Sequence, residues 1–125
     1  MDRTQDLIVI VEDDDGMRRA LERLLSVSGF RTLAFASAEA LNASNGISGA
    51  ACLVLDVRLP GQSGPELYAN LGAERPPAVF ITSHDGPATR RAMGLFVDCE
   101  LIGKPFPAKV LLDAIVRAMH GNTPP

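Results

Sequence analysis

Five short apolar runs alternate with segments of helical periodicity along almost the whole chain. The runs are mostly continuous in Leu, Ile, Val and Phe, which is typical of strands that are covered on both faces of a sheet. Because each right-handed crossover must return the chain to the same sheet, this alternation predicts an α/β fold with a parallel sheet between layers of helices. The predicted strands are Leu7–Val11, Arg31–Phe35, Ala51–Leu55, Ala78–Ile81 and Glu100–Gly103.

Residues that cap helices mark the boundaries of the segments between these runs. Gly29 follows the apolar stripe of the first predicted helix, and Ser37 and Ser63 precede the second and the third. The fourth helix is predicted to start at Pro87 and the fifth at Pro107, because proline is tolerated in the first turn. The fifth helix, which should stop at Gly121, presents one apolar face, formed by Val110, Leu111, Ala114, Ile115 and Ala118.

Composition restricts the class of protein further. A chain of 125 residues that is 46% hydrophobic and 22% charged is expected to form one domain with its own core, which excludes a disordered polymer. A net charge of −3 argues against attraction of the whole surface to nucleic acid or anionic lipid. No apolar stretch reaches the ~18 residues that span a bilayer, and the first residues lack the layout of a signal peptide. We therefore expect a cytoplasmic protein that binds neither nucleic acid nor membrane directly.

The chain contains two cysteines, Cys52 and Cys99. They are too few for a disulfide framework, and their separation does not match metal-ligand spacing. Both lie in apolar runs, which predicts reduced thiols that are buried in the core.

Polar side chains follow four of the five predicted strands at the point where each strand ends. Glu12–Asp15 follow the first strand, Asp56 the third, Thr82 and Ser83 the fourth, and Lys104 the fifth. In open parallel sheets, ligands bind beyond the carboxyl ends of the strands. We therefore expect carboxylates, a hydroxyl and an ammonium group to meet at this one edge.

Charge determines what such an edge can bind. With Glu12, Asp13 and Asp56 ionised and Lys104 protonated, the cluster has a net charge of −2, and its carboxylates repel one another unless a cation compensates. Hard oxygen ligands favour Mg²⁺, which keeps several waters and commonly shares its shell with a phosphate. The sequence thus predicts a magnesium-dependent phosphoryl site. In such a site a carboxylate can attack phosphorus, while Lys104 and the Thr82 hydroxyl bind the transferring oxygens.

These residues give the chain a resemblance to bacterial response-regulator receiver domains, the phosphoacceptor modules of two-component signalling. The resemblance implies a flavodoxin-like fold with strand order 2-1-3-4-5 and five flanking helices. It makes residues 1–120 the receiver domain and residues 121–125 a tail or the start of a linker. Within the family, the chain is most similar to receivers of the nitrogen-fixation and nitrate type, which precede a helix-turn-helix output domain. Four motifs carry the resemblance: Val11-Glu12-Asp13-Asp14-Asp15, Leu53-Val54-Leu55-Asp56-Val57-Arg58-Leu59-Pro60-Gly61, Ile81-Thr82-Ser83 and Lys104-Pro105-Phe106.

The resemblance implies a role for each residue of the metal site. Asp56 would be the phosphoacceptor. Glu12 and Asp13 would hold Mg²⁺ together with Asp56 and the backbone carbonyl of Arg58. Glutamate in place of aspartate at the first acidic position keeps the charge of the pair.

The resemblance also implies roles for the residues that respond to the phosphoryl group. Thr82 would be the switch hydroxyl, and Lys104 would pair with a phosphoryl oxygen, with a cis bond to Pro105. Arg58 and His84 would occupy the variable positions that tune dephosphorylation.

One position departs from the family pattern. Receivers usually carry Tyr or Phe three residues before the lysine, and this chain has Leu101 there. A leucine can repack toward space that Thr82 vacates, but it has no aromatic plane or hydroxyl to present. We expect phosphorylation to survive this change and the propagation of the signal to be affected.

The function implied is that of a receiver, which takes a phosphoryl group from a sensor histidine kinase and changes conformation to control an output domain or downstream protein. The surface expected to respond lies on the fourth helix, the fifth strand and the fifth helix, and would support phosphorylation-dependent dimerisation. It includes Arg90, Arg91, Leu101 and Val110. Such a domain catalyses its own phosphorylation and slow dephosphorylation and is not a turnover enzyme.

Other classes of protein fit the sequence less well. A flavodoxin-like cofactor binder must cradle a phosphate in the first loop, where Glu12–Asp15 would repel it. Neither the Gly-x-Gly-x-x-Gly pattern of dinucleotide binders nor a P-loop is present. A phosphohydrolase would carry a second acid where Arg58 stands. The remaining alternative keeps the receiver fold but acts as a phosphorylation-independent interaction domain. For Asp13, Asp14 and Asp15 individually, capping of a helix is the competing interpretation.

Overall fold

A computed structural model describes residues 6–44, 47–83, 86–94, 96 and 99–120, with the backbone alone at 92 and 93. Strands and helices alternate in it as the sequence predicts. The strands are β1 (Leu7–Val11), β2 (Arg31–Phe35), β3 (Ala50–Asp56), β4 (Ala78–Thr82) and β5 (Cys99–Gly103). The helices are α1 (Asp15–Val27), α2 (Ala38–Asn42), α3 (Gly64–Ala69), α4 (Pro87–Met93) and α5 (Ala108–Met119).

The strands form one parallel sheet in the order β2-β1-β3-β4-β5, which confirms the predicted fold class. The register keeps the carboxyl ends of the strands level: Val11 lies opposite Leu55, and Thr82 lies opposite Gly103. Strand β3 is one residue longer at this end than predicted, because Asp56 still pairs with Ile81. Its carboxylate therefore stands on a rigid strand at the rim of the sheet.

Two apolar layers cover the sheet. Side chains from α1 and α5 pack on one face around Ile10, Val54 and Ile81. Side chains from α2 and α3 pack on the other face around Leu55 and Phe80. The central strands β1, β3 and β4 are almost wholly buried, as predicted.

The prediction of strands covered on both faces is wrong for the edge strands, and the apolar face predicted for α5 is not buried along its whole length. Strand β2 pairs with β1 alone, so Arg31 and Leu33 are exposed. In α5, Leu111, Ala114, Ile115 and Ala118 are buried, at positions spaced by three or four residues. Val110 lies beside that stripe and is 39% exposed.

The predicted capping residues define the helix starts. The Ser37 side chain accepts a hydrogen bond from the Ala40 N–H at the start of α2, and Asp14 accepts one from the Met17 N–H at the start of α1. Gly29 follows α1 with a φ of 100°, a conformation that glycine adopts without strain. The helix stop expected at Gly121 lies outside the described residues.

Neither cysteine forms a disulfide bond. Cys52 is fully buried in the centre of β3, as predicted, whereas Cys99 at the start of edge strand β5 is half-buried. Among the described residues, no helix combines the length and the apolar character that a membrane span requires.

Candidate functional site

Four chemically active side chains meet at the carboxyl edge of the sheet, as the sequence predicts. Glu12 directly follows β1, Asp56 ends β3, Thr82 ends β4 and Lys104 directly follows β5. Glu12 and Thr82 are 1% exposed and Asp56 is 7% exposed, although all three are polar. Burial of polar groups at the rim of a sheet is costly unless they have partners.

Lys104 supplies the partner for both buried carboxylates. Its Nζ lies 3.1 Å from Glu12 Oε1 and 3.2 Å from Asp56 Oδ2. The Lys104 backbone N–H donates to the Thr82 carbonyl at 2.7 Å, which fixes the start of the loop after β5. The bond from Lys104 to Pro105 is cis. One ammonium group thus joins strands that are far apart in sequence.

The pKa values of the cluster reflect this crowding. Burial is the main cause that raises the pKa of Glu12, and the charge of Asp56 acts in the same direction. Hydrogen bonds from the Asp14 N–H and from Lys104 oppose that rise without cancelling it. For Lys104, burial acts to lower the pKa, but the hydrogen bond to Glu12 and the charges of both carboxylates outweigh it, so the pKa is raised. The ammonium form of Lys104 is therefore favoured, and burial disfavours the ionised form of Glu12.

The acidic residues have the arrangement that a divalent cation requires. One carboxylate oxygen from each of Glu12, Asp13 and Asp56 lies within 4.8 Å of the other two. Asp13 is exposed, so the cluster opens to solvent on one side. An all-oxygen, acidic and partly solvated donor set fits Mg²⁺, which binds through a few carboxylates and keeps waters. The residues present therefore fit this ion.

The four consecutive acidic residues from Glu12 to Asp15 have different roles. Asp14 caps α1, and its own N–H donates to Glu12 Oε2 at 3.1 Å. Asp15 lies in the first turn of α1 and pairs with Arg18. The capping interpretation is thus correct for Asp14, whereas Asp15 lies at the N-terminal end of α1 without capping it. Glu12 and Asp13 form the carboxylate cluster together with Asp56.

The sequence did not indicate a role for Arg18, which contacts the acidic loop. Its Nη1 donates to the backbone carbonyl of Glu12 at 3.0 Å, and its Nη2 contacts Asp15 Oδ1 at 2.5 Å. Its side chain is only 18% exposed. The spacing of three residues between Asp15 and Arg18 on a predicted helix was a usable signal for the ion pair. Nothing in the sequence indicated the contact with the Glu12 carbonyl.

Gly64 makes a close contact beside Asp56 that its position at a helix start did not reveal. Its N–H donates to the Val57 carbonyl at 2.9 Å. A Cβ at this position would lie 2.2 Å from the carbonyl oxygen of Asp56, closer than any real contact. The start of α3 can approach the end of β3 this closely only because residue 64 lacks a side chain.

The backbone that follows Asp56 also contacts its carboxylate. The Arg58 N–H donates to Asp56 Oδ1 at 3.1 Å. Since Lys104 contacts Oδ2, both oxygens of Asp56 have a donor, which fixes the plane of the carboxylate. The Arg58 side chain is exposed at the mouth of the site. The metal-ligand role of its carbonyl stays a prediction.

The remaining predicted residues lie on or beside β4 and β5. Leu101 is half-buried opposite Phe80, which precedes Thr82 by two residues on the same strand. Both belong to the apolar layer under α2 and α3. His84 lies outside the described residues.

An aromatic cluster that the sequence did not indicate adjoins Leu101. The rings of Tyr68, Phe80 and Phe96 contact one another with centroids 5.1–6.0 Å apart. The Arg75 guanidinium lies 4.3 Å from the centre of the Tyr68 ring, and the Tyr68 hydroxyl donates to the Pro76 carbonyl at 2.7 Å. The apolar layer around Leu101 therefore contains closely packed aromatic rings.

Comparisons with known proteins agree with this site and fold. The sequence model of the response regulator receiver domain matches residues 8–116. Nodulation protein W of Bradyrhizobium diazoefficiens is 44% identical over 119 residues, which are 92% of this chain and 52% of that protein. The transcriptional regulatory protein FixJ of Rhizobium meliloti is 38% identical over 117 residues, covering 87% of this chain and 54% of that protein. The chain thus spans about half the length of these curated relatives.

Solved structures give the same result. The response regulator StyR is 39% identical with a TM-score of 0.78, over 93% of this chain and 60% of that one. A receiver domain protein from Clostridium thermocellum has a TM-score of 0.82 over 94% of this chain and 97% of that one. At 18% identity, this second likeness concerns the fold alone.

Proposed function

The chain belongs to the response regulator receiver domain family of two-component systems, and on that basis we propose that it accepts a phosphoryl group on Asp56 from the phosphohistidine of a sensor histidine kinase. One observation carries the proposal. The buried Asp56 carboxylate contacts Lys104 and shares a cation-binding cluster with Glu12 and Asp13. The Asp56 carboxylate thus combines a nucleophilic oxygen with a neighbouring ammonium group and with two further carboxylates that would hold a metal ion.

The transfer requires one bond to form and one to break. An Asp56 carboxylate oxygen attacks phosphorus and forms the acyl phosphate bond. The bond from phosphorus to the histidine nitrogen of the kinase breaks, and its electron pair returns to the imidazole. Bound Mg²⁺ would supply neutralisation of charge on the transferring oxygens. We assign its ligands to Glu12, Asp13, Asp56 and the carbonyl of Arg58.

Lys104 and Thr82 bind the phosphoryl group in this proposal. The Lys104 ammonium already lies 3.2 Å from Asp56 Oδ2, so it can pair with a phosphoryl oxygen attached to Asp56. The Thr82 hydroxyl stands at the end of the neighbouring strand and would donate to another oxygen. The domain would catalyse its own phosphorylation and slow dephosphorylation, the latter tuned by Arg58 and His84, and would not turn over a substrate.

We propose that Thr82 and Leu101 transmit the conformational response to phosphorylation from Asp56 to the surface of the domain. Movement of Thr82 would allow Leu101 to repack and bias the surface of α4, β5 and α5 between two states. Arg90 and Arg91 are exposed on α4, and Val110 is exposed on α5. This surface would bind a second copy or a downstream protein in the phosphorylated state.

The receiver domain is proposed to comprise residues 1–120, with residues 121–125 as a tail or the start of a linker. FixJ of Rhizobium meliloti is named a transcriptional regulatory protein. By analogy, we propose that the domain controls an output domain or a downstream protein in the cytoplasm, without binding nucleic acid itself.

Incubation with a small-molecule phosphodonor and Mg²⁺, followed by intact-mass measurement, tests this function. The expected result is a gain of one phosphoryl mass that is absent in Asp56→Asn and after chelation. Asp113→Asn removes an exposed carboxylate on α5 and should gain the mass as the wild type does. Absence of any gain, with donors and with kinase, would favour the phosphorylation-independent interaction domain, for which Leu101 is the supporting observation.

A further inference from the structure

Arg18 links the start of α1 to the acidic loop that precedes it. Its guanidinium donates to the Glu12 carbonyl at 3.0 Å through Nη1 and binds Asp15 through Nη2. The Glu12 N–H is held as well, because it donates to the Phe35 carbonyl at 3.0 Å. Both sides of the Glu12 backbone are therefore fixed, one by the sheet and one by Arg18.

The Glu12 carbonyl belongs to the peptide group that joins Glu12 to Asp13. A peptide group is planar, so a hydrogen bond to its oxygen also sets the direction of the following N–H and Cα. Among the described residues, none is shown donating a hydrogen bond to the Asp13 carboxylate, which is exposed. Its direction therefore depends on the backbone, and Arg18 holds that backbone.

We propose that Arg18 is a positioning residue for the divalent cation, which it serves by fixing the Glu12–Asp13 peptide group and so aiming the Asp13 carboxylate into the cluster. This inference rests on the proposed function, since it concerns the cation that Glu12, Asp13 and Asp56 would share. Groups that orient metal ligands without touching the metal commonly affect affinity strongly.

Asp15 makes such an arginine compatible with a cation site. An unpaired guanidinium next to three carboxylates would repel an incoming cation. Here Asp15 Oδ1 lies 2.5 Å from Nη2, and the Asp15 carboxylate faces solvent with 71% of its side chain exposed. The ion pair compensates the charge of Arg18 and leaves its second nitrogen for the Glu12 carbonyl.

Binding of Mn²⁺, a paramagnetic substitute for Mg²⁺, gives a direct test. Because the chain has no tryptophan, free Mn²⁺ is measured by electron paramagnetic resonance during titration of the protein. Arg18→Met keeps a long apolar side chain but removes the donors, and we expect it to weaken Mn²⁺ binding by about tenfold. Arg18→Lys keeps a positive charge and a donor but lacks the planar, two-pronged guanidinium group. We expect its Mn²⁺ affinity to lie between those of the wild type and Arg18→Met. Arg19→Met changes the exposed neighbouring arginine and should bind as the wild type does.

A second measurement separates positioning from simple stabilisation of α1. At limiting Mg²⁺, the phosphorylation rate of Arg18→Met should fall, and at saturating Mg²⁺ it should recover. Wild-type Mn²⁺ affinity in Arg18→Met would overturn the inference, even if its melting temperature fell. If Arg18→Met does not fold, an affinity of Arg18→Lys equal to that of the wild type would overturn it. Failure of the wild type itself to bind Mn²⁺ would instead contradict the proposed function, and this inference with it.

Discussion

The Lys104 ammonium lies 3.2 Å from Asp56 Oδ2 across 48 residues of sequence. Its second contact is with the buried Glu12. The same ammonium group thus stabilises the fold without a cation and, in the proposed function, would pair with a phosphoryl group on Asp56. Stability and chemistry at this site are therefore coupled through one side chain.

Lys104→Met should destabilise the metal-free protein. The substitution leaves Glu12 and Asp56 buried without their counter-charge, which we expect to lower the free energy of unfolding by about 3 kcal/mol. Urea denaturation followed by circular dichroism measures this, and added Mg²⁺ should restore part of the loss. Lys109→Met removes a lysine whose side chain is 83% exposed and should change stability by less than about 0.5 kcal/mol. Equal losses in the two variants would show that the buried pair is unimportant.

Gly64→Ala should disturb the acceptor through its backbone. The added Cβ would stand 2.2 Å from the Asp56 carbonyl oxygen, so α3 or β3 must shift. We expect a loss of about 1–3 kcal/mol, typical of overpacking, and slower phosphorylation of Asp56. Gly86→Ala is the matched control, because nothing lies within 4 Å of a Cβ there. Unchanged stability and phosphorylation in Gly64→Ala would contradict the close approach seen here.

The sequence predicted the features that depend on periodicity and on local chemistry. Apolar runs located all five strands, and caps such as Ser37 located helix starts. The convergence of Glu12, Asp56 and Lys104 followed from parallel topology, because strand ends share an edge. Contacts set by three-dimensional approach were not predictable. The bond from Arg18 to a backbone carbonyl and the clearance at Gly64 depend on where helices settle, which residue type and spacing do not determine.

The capping box at the start of α3 should make stability depend on pH. Glu66 accepts a hydrogen bond from the Ser63 N–H, and this bond, followed by the Ser63 hydroxyl, lowers the pKa of Glu66 below its ordinary value of 4.5. A lowered pKa means that the carboxylate stabilises the folded state above 4.5 and that this contribution is lost as pH falls through the folded-state pKa. The difference in melting temperature between wild type and Glu66→Ala should therefore shrink as pH is lowered through that range. A difference independent of pH would exclude the carboxylate as its cause.

Cys52 should resist alkylation in the folded protein. Burial raises the pKa of its thiol from 9.0 to about 12, so its thiolate fraction at neutral pH is lower by about a thousandfold than that of an ordinary cysteine. Cys99→Ser makes Cys52 the single thiol, and intact mass after iodoacetamide treatment measures its reaction. We expect no modification in buffer and complete modification in urea. Rapid modification in buffer would show that the centre of β3 opens readily.

Substitution of Leu101 tests whether this aliphatic residue transmits the proposed conformational response from Thr82 to α4. Leu101 lies opposite Phe80, which precedes Thr82 by two residues on β4. Leu101 and Phe80 pack in the same apolar layer, where Leu101 is half-buried. A shift of Thr82 toward a phosphoryl group would therefore change the packing that Leu101 meets. In hydrogen exchange with a phosphodonor continuously present, we expect altered protection in β5 and α4 of the wild type.

Leu101→Ala separates this response from the chemistry. It should still gain the phosphoryl mass, because the proposed transfer assigns no chemical role to Leu101, but the change in α4 should be reduced. Leu33→Ala truncates a leucine of edge strand β2 that is 44% exposed, and its response should match that of the wild type. If Leu101→Ala also responds fully, the signal must pass from Thr82 by another path. The neighbouring rings of Phe80 and Phe96, stacked with centroids 6.0 Å apart, would then be the next residues to substitute, because they join β4 to the segment between α4 and β5.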